Sequence, residues 1–463
     1  MTAPAALSLA AAARALRSGD TTAEALARGA LDRQRRFAPL MAYKSVDPDI
    51  TLAHARAADA AFASGADTGL LQGIPVSVKD LYAVDGFPVF AGTPRPLPEA
   101  FQVEGPVVQA LRRQLGVVTG KTHTVEIAFG GLGTNSHWGT PRNPWDAVDH
   151  RVPGGSSAGA GVSLIEGSAL LALGTDTSGS VRIPASMTGT VGLKTTAGRW
   201  STKGIFPLSP SLDTAGILAR SVADLAWGFA ALDPRVGEFP APRIGVAGLR
   251  LGIPEQHFLD GCSPGIAEGF ETALAELERA GAVLVPFDMP ECTEAWGYFL
   301  KGGLAAAEGW ALLQAELPEI FDTLDDMVRQ RMAEGGKLPA HEYLHRRRRL
   351  ALLGAAVADR LRDLDALVCP TVPETPPRLS EVERVEDYRE RNLQALRNTC
   401  MANMLGFCAL TMPVALDSAG MPVGLGLMAP GMREEWLLAL AGGIEGVLGN
   451  GGERLGIAPL CAD

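Results

Sequence analysis

Apolar and polar residues follow one another along this chain in blocks that predict helices followed by short buried strands. Residues Ala110–Leu115 have the apolar spacing of a helix, Gly116 ends that helix, and the apolar run Val117–Thr119 comes next. The same order recurs in Ile266–Ala280 and Ala282–Phe287. Helices that alternate with short apolar strands indicate an α/β fold, in which helices cover both faces of the sheet.

Two further apolar segments are predicted to be strands that end at a reactive side chain. The run Leu170–Leu173 leads into small residues that can form a tight loop, and Ser180 lies in that loop. Alternating apolar residues in Gly73–Asp80 predict a strand with Lys79 at its end. Open α/β sheets carry their chemistry at the carboxyl ends of strands, so both side chains are candidates for a catalytic site.

A third segment, Pro153–Val162, is a small-residue loop that runs into a predicted helix and carries Ser156 and Ser157. A serine hydroxyl is a poor nucleophile at neutral pH unless a base removes its proton and donors hold the developing oxyanion. Taken singly, each of these serines would be a turn residue and Lys79 a solvated charge. Together they can form a hydrolytic site.

The remaining pattern is helical at the start of the chain and in its second half. Residues 1–20 predict an amphipathic helix, because the segment lacks the basic beginning of a signal peptide and soon carries charges. Residues 291–361 are mostly helical, with a break near Gly335 and Gly336. No segment reaches the length of an uncharged membrane span, so no membrane association is expected.

Composition narrows the class of protein. The chain has 463 residues, of which 47% are hydrophobic and 54 are glycine, which is typical of a compact globular fold with many tight turns. Its formal net charge of −11 argues against nonspecific binding to nucleic acid or to anionic membranes. We therefore expect no nucleic-acid partner.

Histidine and cysteine show no metal-binding pattern. Only His341 and His345 have helical spacing among the seven histidines, and the intervening residues do not form an H-E-x-x-H site. The six cysteines show no close pair, which favours reduced thiols and a cytoplasmic location. We expect neither a metal nor a cofactor.

Two other interpretations of the glycine-rich segment are weaker. Gly155-Ser-Ser-Ala-Gly159 matches the G-x-S-x-G nucleophile elbow, which would make Ser157 the nucleophile. That motif needs an apolar strand directly before it, whereas Trp145–Pro153 predicts a loop. A phosphate-binding loop would need a following Gly-Lys-Ser/Thr, which the sequence lacks.

Lysine, serine and serine, in this order and in these local sequences, closely resemble the amidase signature family. The dense match spans about residues 61–225, with weaker matches at 365–377 and 420–426. The 24-residue separation between Ser156 and Ser180 fits the family pattern and selects Ser156 over Ser157 as the bridging serine. The matching motifs are Val78-Lys79-Asp80, Gly154-Gly155-Ser156-Ser157, Gly174-Thr175-Asp176-Thr177 and Gly179-Ser180-Val181-Arg182-Ile183-Pro184.

The resemblance implies a role for each residue. Ser180 attacks the substrate carbonyl, and Ser156 relays its proton to Lys79. The family also has a cis peptide before its bridging serine, which here is Gly155–Ser156. The implied oxyanion hole consists of the backbone amides of Thr177, Ser178, Gly179 and Ser180, where Ser178 replaces a glycine found in many relatives.

The implied role of Lys79 sets a condition on its surroundings. A free lysine has a pKa of about 10.4, so burial or a nearby cation must lower the pKa of Lys79 before it can accept a proton at neutral pH. The apolar flanks of Lys79 are consistent with burial. Strand alternation predicts that the neighbouring Asp80 points to the opposite face, where its charge would oppose this shift less.

For the fold, the resemblance implies a single domain over residues 1–463 with a central mixed sheet and a catalytic core at about 61–225. The helical region at about 291–361 would cover the core and shape the substrate channel. Phe299, Trp310 and Leu313 are candidate lining residues there, although their helical spacing favours ordinary core positions. The segment Cys400–Cys408 is also apolar, and its methionines could adapt to a hydrophobic acyl or aryl group.

For the activity, the resemblance implies a serine hydrolase that cleaves a C–N amide bond through an acyl-enzyme, with anilides, carbamates (urethanes) and esters within range. The alternative is the glutaminase-type subunit of an amidotransferase complex, and a noncatalytic binding protein is a third hypothesis. We expect a small amide substrate with a hydrophobic or aryl portion, and a monomer or homodimer.

Overall fold

One mixed β-sheet of 11 strands runs through the part of the chain that the computed structural model describes, residues 7–236 and 244–462. The strands lie side by side in the order β1-β3-β2-β4-β6-β5-β10-β11-β9-β7-β8. Their bounds are β1 Tyr43–Ser45, β2 Pro75–Lys79, β3 Val117–Thr122, β4 Leu171–Asp176, β5 Val191–Lys194, β6 Thr214–Ala219, β7 Arg250–Pro254, β8 Val283–Phe287, β9 Ala366–Pro370, β10 Cys408–Leu416 and β11 Pro422–Ala429.

The sheet is mixed because parallel and antiparallel pairs both occur. Strand β2 is parallel to β3 and β4, and β7 is parallel to β8 and β9. The pairs β1–β3, β4–β6, β5–β6, β5–β10, β10–β11 and β9–β11 are antiparallel. This arrangement confirms the predicted mixed α/β fold.

Helices cover both faces of the central strands. Every residue of β2, β4, β6 and β11 is buried, which requires cover on both sides because alternate side chains point to opposite faces. The helices are α1 Leu9–Ser18, α2 Ala23–Arg36, α3 Pro48–Ala63, α4 Pro106–Arg113, α5 Ala158–Ile165, α6 Arg182–Thr188, α7 Val222–Leu232, α8 Ile266–Arg279, α9 Glu291–Leu300, α10 Ala305–Glu316, α11 Pro318–Phe321, α12 Asp326–Gly335, α13 Ala340–Arg360, α14 Val385–Arg397, α15 Cys400–Met404, α16 Glu434–Leu448 and α17 Gly451–Leu455.

The predicted helix-to-strand blocks are present. Helix α4 is followed by β3, and α8 by β8, with turns at Gly116 and Gly281. Helix α1 covers part of the predicted amphipathic start, whose first six residues lie outside the described part of the chain. Residues 291–361 form α9 to α13, and α12 ends at Gly335, at the predicted break.

Two further observations concern membrane-spanning helices and the cysteine thiols. No helix within the described residues is both long and apolar enough to cross a membrane. All six cysteines are free, and five of them are buried.

The topology brings the two reactive strands together. Strands β2 and β4 are parallel neighbours, with Val78 opposite Leu173. Parallel neighbours end at the same edge of a sheet, so Lys79 and the loop after β4 meet there. Helix α5 begins at Ala158, directly after Ser156 and Ser157.

Candidate active site

Lys79 is the last residue of β2 and its side chain is completely buried. Its Nζ donates hydrogen bonds to Ser156 Oγ and to Thr175 Oγ1, both at 2.8 Å. Ser156 belongs to the loop before α5, whereas Thr175 belongs to the neighbouring strand β4. The lysine amine therefore connects its own motif to the motifs that contain Ser156 and Thr175.

Burial lowers the pKa of Lys79 to about 7, against the opposing effect of the negative charges of Asp176 and Asp213. A group with this pKa is about half neutral at pH 7. Asp80 is also buried, and its carboxylate forms an ion pair with Lys121 at 3.0 Å. Asp80 is not among the charges that shift the pKa of Lys79, in agreement with its predicted orientation.

The loop that carries Ser156 depends on glycine. The peptide bond Gly155–Ser156 is cis, as the resemblance implies. Gly154 has φ +79°, in the left-handed region that favours glycine. A Cβ at Gly155 would lie 2.7 Å from the backbone nitrogen of Gly133, so a larger residue would displace the loop.

Ser157 faces the protein interior. It is fully buried, and its hydroxyl donates weakly to the carbonyl of Thr175 at 3.4 Å. Its backbone N–H donates to the carbonyl of Ser180 at 3.2 Å. No strand lies between Thr122 and Ala158, so the sharp strand-to-helix turn of a nucleophile elbow is not formed here.

Ser180 lies on the wall of the principal cavity. Within residues 7–236 and 244–462 its hydroxyl makes no hydrogen bond, including none to Ser156. Helix α6 follows directly, at Arg182. The structure thus gathers Lys79, Ser156 and Ser180 at one edge of the sheet, with the first two hydrogen-bonded and the third facing the cavity.

Asp176, at the end of β4, organises the loop that carries Ser180. Its carboxylate accepts hydrogen bonds from the N–H groups of Gly179 at 2.8 Å and Val181 at 3.2 Å. The guanidinium of Arg182 donates to the same carboxylate twice, each time at 3.0 Å, and Asn403 Nδ2 adds a bond at 3.0 Å. Burial alone would raise the pKa of Asp176, but the charge and hydrogen bonds of Arg182 hold it at about 2.

This geometry changes the expected oxyanion hole. The N–H of Gly179 donates to the carboxylate of Asp176, so it is not available to an anion while that hydrogen bond is formed. The amides of Thr177, Ser178 and Ser180 have no hydrogen-bond partner among the described residues, and all three residues line the cavity. These three N–H groups can receive an anion.

The cavity has a volume of about 850 Å³ and lies between the Ser180 loop and the helices that follow β8. Phe299 lines it, as does Met404 from the methionine-rich segment. Leu313 instead is fully buried in the main core, and Trp310 packs edge-on against Phe321 with ring centroids 5.0 Å apart. Of the three predicted lining residues, the structure thus brings only Phe299 to the cavity.

Sequence reasoning missed the charged part of the wall. The cavity is lined by five cationic residues and two carboxylates. These residues are Lys301, Arg331, Lys337, Arg346 and Arg389, with Glu334 and Glu342. Charged residues on helices are usually solvated, so the sequence pattern gives no sign that these residues share a cavity. Only the packing of the folded chain shows it.

Comparison with known proteins identifies the family. Residues 25–438 match the protein family described as Amidase. The chain belongs to the amidase signature family. Its members hydrolyse C–N bonds, so this family member is a C–N hydrolase. The 33% identical structure described as "Crystal structure of amidase" covers 96% of this chain and all of that chain, with a TM-score of 0.86.

Two curated relatives of this amidase-family protein have different functions. The 2-amino-5-chloromuconic acid deaminase of Comamonas testosteroni is 54% identical over 98% of this chain and 99% of the relative. A glutamyl-tRNA(Gln) amidotransferase subunit of Myxococcus xanthus (strain DK1622) is 32% identical over 92% of this chain and 94% of the relative. The family is therefore established, whereas its members act on different substrates.

Proposed function

We propose that this hydrolase acts on a small acid that carries an amino or amide nitrogen, with Lys79 as base, Ser156 as proton relay and Ser180 as the nucleophile that attacks amides. The observation that carries the catalytic part is the buried Lys79 amine, which lies 2.8 Å from Ser156 Oγ. Burial lowers the pKa of Lys79 to about 7, so much of it is neutral at pH 7. In that form the Ser156 hydroxyl can donate its proton to the amine.

For an amide, Ser180 Oγ forms a bond to the carbonyl carbon while its proton passes to Ser156, and the proton of Ser156 passes to Lys79. The proton then returns along the same path to the departing nitrogen, the C–N bond breaks, and an acyl-enzyme is left. Water, deprotonated by the same pair, hydrolyses this ester and releases the acid. The relay requires the Ser180 hydroxyl to turn towards Ser156, and the bond from Ser157 N–H to the Ser180 carbonyl holds their two loops adjacent.

The negative oxygen that forms in this step would be stabilised by the amides of Thr177, Ser178 and Ser180. Loss of one such donor typically costs about 2.7–4 kcal/mol of barrier. The carboxylate of Asp176 fixes the conformation of this loop, because it accepts hydrogen bonds from the N–H groups of Gly179 and Val181. The loop is therefore organised before a substrate arrives.

The proposed class of substrate is inferred from the similarity to the deaminase of Comamonas testosteroni. At 54% identity over 98% of the chain, a related amino-substituted unsaturated dicarboxylic acid is the first candidate. In its imine form such a molecule presents a C=N carbon to nucleophiles. Water deprotonated by Lys79 and Ser156 adds to that carbon, and both protons of the water pass to the nitrogen, one by way of Lys79 and the other from the new hydroxyl group. The C–N bond then breaks, ammonia leaves, and a 2-oxo acid is formed.

The apolar part of the cavity wall suits the hydrocarbon portion of such a substrate. Phe129, Leu212 and Phe299 line the cavity together with Met404. The same wall could hold an aryl group, so anilides, carbamates and esters belong in one substrate screen. The cytoplasmic location, the monomer or homodimer, and the boundaries at about 61–225 and 291–361 stay predictions.

The test is to purify the chain and measure ammonia released from 2-amino-5-chloromuconic acid, glutamine and simple amides, and product formation from a hydrophobic anilide. We expect the enzyme to have its highest kcat/KM with 2-amino-5-chloromuconic acid. Ser180→Ala should reduce amide hydrolysis by roughly 10⁴-fold, and Lys79→Ala should abolish both reactions. A fluorophosphonate probe should label the protein and Ser157→Ala, but not Ser180→Ala. Labelling lost only in Ser157→Ala would overturn the assignment of the nucleophile.

The amidotransferase role is the second candidate, supported by relatives such as the 32% identical protein of Myxococcus xanthus. Release of ammonia from glutamine, with little turnover of 2-amino-5-chloromuconic acid, would favour the amidotransferase role. Equal inactivity on all these substrates would contradict both candidates.

A further inference from the structure

Three cations on the cavity wall form no ion pair with a carboxylate in the part of the chain that the structure describes, although the charge of one of them, Arg389, adds to the larger effect of the Lys337 hydrogen bond in lowering the pKa of Glu334. Glu342 accepts a hydrogen bond from Arg346 at 2.8 Å, and Glu334 accepts one from Lys337 at 2.8 Å. The remaining lining cations are Lys301, Arg331 and Arg389, and none forms an ion pair within residues 7–236 and 244–462. In a chain of net charge −11, this is a local excess of positive charge beside the nucleophile.

Arg331 is held in a fixed position. Its guanidinium lies 4.5 Å from the ring centroid of Phe129 and 5.3 Å from that of Tyr388. One of its nitrogens, Nη1, donates to the carbonyl of Phe129 at 3.1 Å. The other N–H groups have no partner among the described residues. A planar guanidinium fixed in this way can receive a carboxylate through two parallel hydrogen bonds.

Asn392 adds a neutral donor. It is only 3% exposed and lines the same cavity. Its Oδ1 accepts the N–H of Gly131 at 2.7 Å, whereas Nδ2 has no partner among the described residues. Because Asn392 lines the cavity, this unpaired amide N–H can donate a hydrogen bond to a ligand that accepts one there.

These groups are connected to the catalytic loop. Arg331 and Asn392 both bind the segment 129–131, and the carbonyl of Gly131 accepts the N–H of Gly155 at 2.7 Å. Gly155 precedes Ser156. A ligand bound by Arg331 and Asn392 is therefore bound to the segment that supports the proton relay.

We propose that Arg331, Arg389 and Asn392 form the binding site for a substrate carboxylate remote from the scissile C–N bond, and so select anionic substrates. This inference rests on the proposed function, since it takes Ser180 as the reacting end of the same cavity. Arg331 and Asn392 fix the orientation of the carboxylate. Arg389 is exposed and supplies charge at the cavity entrance. The apolar wall between these groups and Ser180 contacts the hydrocarbon chain.

The test measures binding of trans,trans-muconate, a dicarboxylate without nitrogen, by calorimetry and by protection of Ser180 from the fluorophosphonate. We expect Arg331→Gln and Arg389→Gln each to weaken muconate binding, by about tenfold or more for Arg331→Gln. Neutral muconamide should bind the unmodified protein much more weakly than muconate does. The matched control is Arg329→Gln, on the same helix, which pairs with Asp326 away from the cavity and should leave binding unchanged.

Arg331→Gln removes the stacking of Arg331 on the two rings, which could disturb folding. Arg331→Lys and Arg389→Gln, which replaces an exposed residue, are therefore measured beside Arg331→Gln. Thermal unfolding is recorded for every variant. Arg331→Lys should retain part of the affinity. Muconate binding that is unchanged in both glutamine variants, or equal affinity for muconate and muconamide, would overturn the carboxylate site. Arginine-dependent binding of muconate without deaminase activity would instead overturn the proposed substrate and leave the carboxylate site standing.

Discussion

Thr177 donates a hydrogen bond from its Oγ1 to the carboxylate of Asp213 at 2.5 Å. This bond connects the Ser180 loop to the segment that directly precedes β6. Asp213 also accepts the N–H groups of Leu208 and Ser209, both at 2.9 Å. Ser209 Oγ in turn donates to Glu308 of α10 at 3.1 Å. Helix α10 is thereby coupled to the amide of Thr177 through two carboxylates.

This coupling predicts that Glu308 is a positioning residue. Glu308→Ala should lower kcat by about tenfold, corresponding to about 1.4 kcal/mol, because the Thr177 amide loses its fixed orientation. Binding of muconate should change much less, since Glu308 is not part of the cavity wall. Glu316→Ala, at the exposed end of the same helix, is the control and should retain wild-type kcat. A change confined to KM would contradict this role.

The lowered pKa of Lys79 predicts a pH dependence. Only the neutral amine accepts a proton from Ser156, so kcat/KM should fall tenfold per unit as the pH decreases below about 7 and level off above it. The measurement is kcat/KM from about pH 5.5 to 9 with a substrate that does not titrate in that range. A profile that is flat between about pH 6 and 8 would be incompatible with Lys79 as the base.

The same shift predicts an effect on stability. A lysine whose folded-state pKa lies below its ordinary 10.5 binds fewer protons in the folded protein than in the unfolded chain between about pH 7 and 10.5. Burial of Lys79 therefore costs free energy that is fully present below about pH 7 and disappears as the pH rises to 10.5. Lys79→Met should raise the free energy of unfolding by several kcal/mol at about pH 7, on the order of 4 kcal/mol at roughly 1.36 kcal/mol per pKa unit.

The control for this effect is Lys203→Met, which replaces an exposed lysine and should change stability little at any pH. Both variants are compared with the wild type by urea unfolding at neutral pH and at the highest pH that the protein tolerates. The advantage of Lys79→Met should shrink with rising pH while its activity is lost throughout. An equal advantage at both pH values would point to packing rather than to charge.

Arg182 is predicted to be essential for folding of the loop. Arg182→Met leaves the buried carboxylate of Asp176 without its cation, a change that typically costs about 3–5 kcal/mol. Arg384→Met removes an exposed cation that lies 3.9 Å from Glu386, and should cost less than about 1 kcal/mol. Urea unfolding of the two variants gives the comparison, and equal losses would show that burial of Asp176 is not the decisive factor.

Much of the core of the site could be predicted from the sequence, because its signals are local. Apolar alternation before Lys79 and the run before Ser180 predict the two strands, and small residues predict the two loops. The predicted cis bond at Gly155–Ser156 and the buried lysine with a lowered pKa are both present. Catalytic roles for these residues are what the experiments above test.

The remaining features depend on contacts between distant parts of the chain. The bond from Arg331 to Phe129 joins residues 202 positions apart, and Asn403 reaches Asp176 across 227 positions. Sequence periodicity carries no information on such pairs, since it reports only the faces of single helices and strands. The hydrogen bond from the Gly179 amide to Asp176 could not be predicted for a related reason, because the direction of an amide in a tight loop depends on the nearby carboxylate.

The walls of the cavity and its chemistry have separate origins in the chain. Lys79 and Ser156 lie outside the lining, whereas α9, α10, α12, α13 and α14 supply most of it together with the turns at residues 301–304 and 337–339. Substitutions on these helices can alter which acids are accepted while the β2–β4 edge is left untouched. Natural divergence and laboratory evolution can therefore change the substrate range of this hydrolase one helix face at a time.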